Sequence, residues 1–62
     1  MKNYRVQAVY SDGIERTLNL QYPNNISAVI EFSMTAKVTD IETWLMIDDH
    51  GQWLALDGQF IQ

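Results

Sequence analysis

The stretch "NYRVQAVYSDGIERTLNLQY" alternates apolar and polar residues on both sides of a turn sequence, and it restricts the fold more than any other part of the chain. Before the turn, Tyr4, Val6, Ala8 and Tyr10 fall on one face and Arg5, Gln7 and Ser11 on the other, with Val9 an exception. After it, Ile14, Leu18, Leu20 and Tyr22 share a face with Arg16, and Glu15, Thr17, Asn19 and Gln21 lie opposite. Successive strand side chains point to opposite sides, so a period of two describes strands buried on one face. The turn sets the register. A two-residue Asp12-Gly13 loop would place Ser11 against Ile14 and oppose polar to apolar along the whole ladder. A three-residue loop, Ser11-Asp12-Gly13, instead pairs Tyr10 with Ile14, Val6 with Leu18 and Tyr4 with Leu20. The second arrangement is predicted, with Gly13 in the left-handed conformation of a bulged turn. Arg16 then lies opposite Ala8 at the margin of the apolar face, where its long stem lets the charge reach water.

The period changes over "PNNISAVIEFSMTAK". Ile26, Val29, Ile30, Ser33, Met34 and Lys37 follow the spacing of one helical face, and Phe32 falls beside that stripe. Pro23 ends the preceding strand, and Asn24 or Asn25 is suited to cap the helix, with Ser27 as a later start. A helix of about three turns must dock on something to persist.

Alternation returns in "VTDIETWLMIDDHGQWLALD", a second hairpin. With His50-Gly51 at the tip, or within a four-residue loop from Asp49 to Gln52, Ile47 faces Leu54 and Leu45 faces Leu56, with Ile41 on the same face. Trp44, Met46, Asp48, Trp53, Ala55 and Asp57 then share the other face. Asp57-Gly58 bends or ends the last strand, and Phe60 and Ile61 close an edge. The order β-β-α-β-β predicts an α+β fold: a four-stranded antiparallel sheet with one helix packed on the aliphatic face of both hairpins, residues 1–62 forming a single domain.

A chain of 62 residues supports little core of its own. Domains of this size hide about 60% of the surface of their unfolded chains, and their cores supply roughly 3–5 kcal/mol. The absence of cysteine excludes disulfides and thiolate metal sites, and the single histidine excludes a His-rich one. Association is therefore the expected extra support. The first ten residues contain no apolar signal region, and no apolar run approaches the ~18 residues that span a bilayer. A cytoplasmic protein with no membrane contact is expected.

Charge is unevenly distributed. Residues 1–37 carry Lys2, Arg5, Arg16 and Lys37 against Asp12, Glu15 and Glu31, a net +1. Residues 38–62 carry Asp40, Glu42, Asp48, Asp49 and Asp57 with no lysine or arginine, a net −5. Duplex nucleic acid selects basic surfaces, so this balance disfavours it and favours a partner with a basic surface.

No catalytic constellation is visible. His50 is not tied by any motif to a nucleophile, and the glycines sit at turns and build no phosphate loop. Asp48, Asp49, His50 and Asp57 lack the alternating acids of a calcium loop and read as a solvated turn. Neither a metal nor any other cofactor is implied. The expected binding residues are Trp44, Met46 and Trp53, with Asp48 and Asp57 beside them. An exposed patch of two indoles and a thioether is large for a monomer, and tryptophan is enriched at binding hot spots. The expectation is a non-catalytic, acidic interaction module, a homodimer that binds or inhibits a larger partner, as small inhibitors encoded by phages or mobile elements do. The alternative is a sheet face that stacks single-stranded bases or another ligand on Trp44 and Trp53.

Overall fold

The computed structural model describes residues 1–61. Strands β1 (Lys2–Tyr10) and β2 (Glu15–Tyr22) form the first hairpin, helix α1 (Asn25–Lys37) follows, and β3 (Ile41–Ile47), β4 (Trp53–Leu56) and β5 (Gln59–Phe60) complete the chain. All neighbours are antiparallel, in the order β2-β1-β3-β4-β5. The class is α+β. The sheet has five strands where four were expected, because Asp57 and Gly58 make a tight turn and return a two-residue strand against β4.

The first hairpin has the register read from its turn. Val6 pairs with Leu18, Tyr4 with Leu20 and Ala8 with Arg16. The Tyr10 N–H donates to the Ile14 carbonyl at 3.0 Å, and Gly13, with φ of 82°, closes the three-residue loop. The Asp12 carboxylate accepts from the Ile14 N–H at 2.9 Å and from the Arg16 guanidinium at 3.2 Å. These two bonds hold Asp12 below the ordinary carboxylate pKa, the backbone bond contributing most. The Arg16 guanidinium carbon also lies 4.4 Å from the centre of the Tyr10 ring, a cation–π contact made by a side chain that remains partly open to water.

Asn24 caps the helix. Its backbone is extended, and its side-chain oxygen accepts from the Ser27 N–H at 2.8 Å, satisfying a donor that the first turn leaves free. Asn24→Ala removes that acceptor and is expected to cost about 1 kcal/mol. At this chain length that lowers the thermal midpoint by about 4–8 °C in a circular dichroism melt. An unchanged midpoint would mean that water replaces the cap without loss.

The core lies between the sheet and the helix. Tyr4, Val6 and Ala8 from β1, Trp44 and Met46 from β3, and Leu54 and Ala55 from β4 meet Ala28, Val29 and Phe32 of the helix. The expected helical stripe is therefore corrected. Val29 does face the sheet, but Ile26, Ile30 and Met34 point outward, each more than half exposed. The sheet explains the rotation. Trp44 and Met46 already fill the interlayer space, so the helix approaches through the small Ala28 and places Phe32 edge-on to Trp44, ring centres 4.7 Å apart.

Candidate functional site

The site begins with the pairing of β1 and β3. Val6 lies opposite Met46 and Ala8 opposite Trp44, so the buried face of β1 forces Trp44 and Met46 under the helix. Both are buried, Trp44 at 5% exposure and Met46 fully. The expected exposed patch of Trp44, Met46 and Trp53 is thus corrected: the two indoles lie on opposite faces of the sheet. Ala55 is buried with Trp44 and Met46.

The second turn places Trp53 outside. Asp48 N–H donates to the Gln52 carbonyl at 2.9 Å and Gly51 N–H to the Asp48 carbonyl at 3.0 Å, closing a three-residue loop with Gly51 at φ of 79°. This is the bond pattern of the first hairpin, and it pairs Ile47 with Trp53. The expected Ile47–Leu54 pairing does not form. A bulge at Leu54 then shifts the register, so that Leu54 and Ala55 are both buried and Leu56 returns to the uncovered face opposite Leu45.

The uncovered face therefore carries Leu45, Ile47, Trp53 and Leu56, with Val9 beside them. Trp53 is 61% exposed and Leu56 49%. Along one row of the ladder, Asn19, Arg5, Ile47 and Trp53 lie side by side, and along the next Thr17, Gln7, Leu45 and Leu56. The face is thus polar over β2 and β1 and apolar over β3 and β4. Two depressions mark it. One of about 670 Å³ lies between Arg5, Asn19, Gln21, Ile47 and the Asp48–Asp49 turn. A smaller one of about 190 Å³ lies among Gln7, Val9, Leu45 and Leu56.

The acidic residues divide between scaffold and surface. Asp48 accepts through one carboxylate oxygen from the His50 and Gln52 N–H groups, both at 2.9 Å, and so shapes the turn. Asp57 accepts from the Thr43 hydroxyl at 2.8 Å and the Trp44 N–H at 2.9 Å, clamping the β4–β5 turn to β3. Asp57 therefore lies against the backbone of Trp44, and both carboxylates serve to hold turns. The His50 imidazole lies 3.8 Å from the Asp49 carboxylate at the exposed tip. The charge of this tip is felt at Tyr4, whose hydroxyl donates to Asn25 at 2.6 Å. Burial, followed by the fields of Asp49 and Asp48, raises the Tyr4 pKa. Among the described residues, no three acidic or histidine side chains gather as a metal site.

Sequence reasoning missed Leu45, Ile47, Leu56 and Val9 as surface residues. The signal was present in the second turn, whose glycine occupies the same third loop position as Gly13. Comparison with protein-family models, with curated proteins and with solved structures gives no match. Among the described residues, no helix is long and apolar enough to cross a membrane.

Proposed function

We propose that the chain is a non-catalytic interaction module that docks a larger protein with a basic surface onto the uncovered sheet face. The observation that carries this reading is Trp53, 61% exposed on that face among Leu45, Ile47 and Leu56. A large aromatic ring held by a strand brings much apolar area to an interface at little entropic cost, which is why such residues dominate binding energy. The surrounding charge favours a basic partner. The apolar residues come from the segment that carries five carboxylates and no lysine or arginine. A partner that blankets the sheet would meet aliphatic side chains at β3 and β4 and an acidic turn at one end. Inhibition by steric covering is the activity such a surface supports, and it requires no bond making.

The test compares wild-type protein with Trp53→Ser as bait in affinity capture from host extract. Binding of the captured protein should weaken by about 2 kcal/mol, roughly thirty-fold, while circular dichroism stays unchanged. Equal capture by both baits would remove the reading. Arg5, two ladder positions from Trp53, supports the nucleic-acid alternative. Quenching of Trp53 emission by a single-stranded oligonucleotide at low salt, with no protein captured, would favour that alternative instead.

A further inference from the structure

We propose that β2 is a pairing edge for the β2 strand of a second copy of this chain. Tyr10 and Ile14 form a hydrogen-bonded pair at the turn, and such pairs recur at every second position of an antiparallel ladder. Arg16, Leu18, Leu20 and Tyr22 therefore exchange bonds with β1, while Thr17, Asn19 and Gln21 direct their N–H and carbonyl groups away from it. β2 is the outermost strand, and among the described residues no hydrogen bond engages those outward groups.

Natural edges are protected by shortness, proline, bulges or central charges. The opposite edge, β5, is protected in this way: it is two residues long and follows a turn of positive φ. β2 has none of these devices. It runs for eight residues without proline or a register shift, and its only charges, Glu15 and Arg16, occupy its first two positions.

The strand is compatible with itself. In an antiparallel pair about a two-fold axis at Asn19, Thr17 lies opposite Gln21 of the second copy, Leu18 opposite Leu20 and Arg16 opposite Tyr22. Asn19 meets its own counterpart. About six main-chain hydrogen bonds would form, and no like charges would face one another. Leu18, Leu20 and Tyr22, half-buried on the helix side, would gain cover. Arg16 would meet a second tyrosine ring, as it already meets Tyr10 at 4.4 Å.

Charge selects the occupant. β2 belongs to the nearly neutral part of the chain, residues 1–37 at net +1, so two copies can approach there. At the Trp53 face, within the segment of net −5, two copies repel each other. The two surfaces therefore serve different partners, and the sheet extends to ten strands with both Trp53 faces left free.

A concentration series by sedimentation velocity or light scattering tests the assignment. Wild type should dimerise in the micromolar range. Asn19→Pro removes an outward N–H without touching the β1 ladder and should weaken the dimer tenfold or more with unchanged circular dichroism. Asn19→Lys, which places two like charges opposite each other at the axis, should do the same if the proline variant fails to fold. Trp53→Ser should leave the dimer intact, which separates this inference from the proposed partner face. A wild type that stays monomeric, or a dimer indifferent to both Asn19 variants, overturns the proposal.

Discussion

Trp44→Ala is expected to unfold the domain at ordinary temperature. The indole fills the space between sheet and helix, edge-on to Phe32 at an interplanar angle of 66°. Around it the chain supplies small residues: Ala8 is its cross-strand neighbour, and the backbone at Gly58 passes within reach of its ring. Truncation leaves a void that these residues cannot close, because none has atoms to extend into it. Replacing a buried tryptophan by alanine costs about 3–5 kcal/mol, and a core of this size supplies roughly the same amount. Loss of far-UV circular dichroism at 25 °C and of a cooperative urea transition would show it. Trp44→Phe keeps most of the volume and should retain the fold at reduced stability. Trp53→Ala should change stability by no more than about 0.5 kcal/mol, as expected for an exposed site. Fluorescence checks the same division independently: Trp53→Phe should leave a blue-shifted emission, and Trp44→Phe the emission of an indole in water. A folded Trp44→Ala variant with wild-type stability would mean that the helix does not close over this ring.

The contrast between the two tryptophans shows where sequence reading reaches its limit. The first hairpin was legible because its information is local: Ser11-Asp12-Gly13 sets the register, and the alternation on each side agrees with only one loop length. The existence of the helix and its cap at Asn24 were legible for the same reason. The helical face was not. Apolar residues occur almost all round it, and the larger Ile26, Ile30 and Met34 look like the better core. They point outward because the helix turns its other side to the sheet: Ala28 is small enough for close approach beside Trp44 and Met46, and Phe32 fills the space that remains. The faces of β3 were likewise decided at a distance, by pairing with β1, and no hairpin turn carries that information. The bulge at Leu54 added a second change of face within four residues of strand. Of the expected binding residues, Trp53 alone occupies the uncovered face; Trp44 and Met46 belong to the core, and Asp48 and Asp57 hold turns.

Gly58→Val is expected to destabilise the domain by about 3 kcal/mol through two separable effects. The first is backbone strain. Asp57 and Gly58 form a two-residue hairpin turn with φ of 52° and 89°, the primed geometry that matches the twist of β4 and β5. Asp57 tolerates the left-handed region, and its carboxylate is anchored by the Thr43 hydroxyl and the Trp44 N–H. A β-branched residue at position 58 does not tolerate it. The second effect is overlap. A Cβ at Gly58 would lie 2.9 Å from the Ser33 hydroxyl oxygen and 3.8 Å from the Trp44 ring. The serine cannot swing aside freely, because its hydroxyl donates to the Val29 carbonyl at 2.6 Å. The added carbon therefore displaces the hydroxyl from that bond or pushes the turn away from the helix, and the second movement loosens the contact around Trp44. Gly13→Val supplies the control, with the same side chain at a similar φ of 82°. Among the described residues no atom lies within 4 Å of a Cβ placed there, so strain is the effect that remains. That loss should be about 1–2 kcal/mol. Urea denaturation of the two variants measures the difference. Equal losses would show that the close approach of turn and helix contributes nothing, whereas a larger loss at Gly58 ties β5 to the same core that Trp44 holds together.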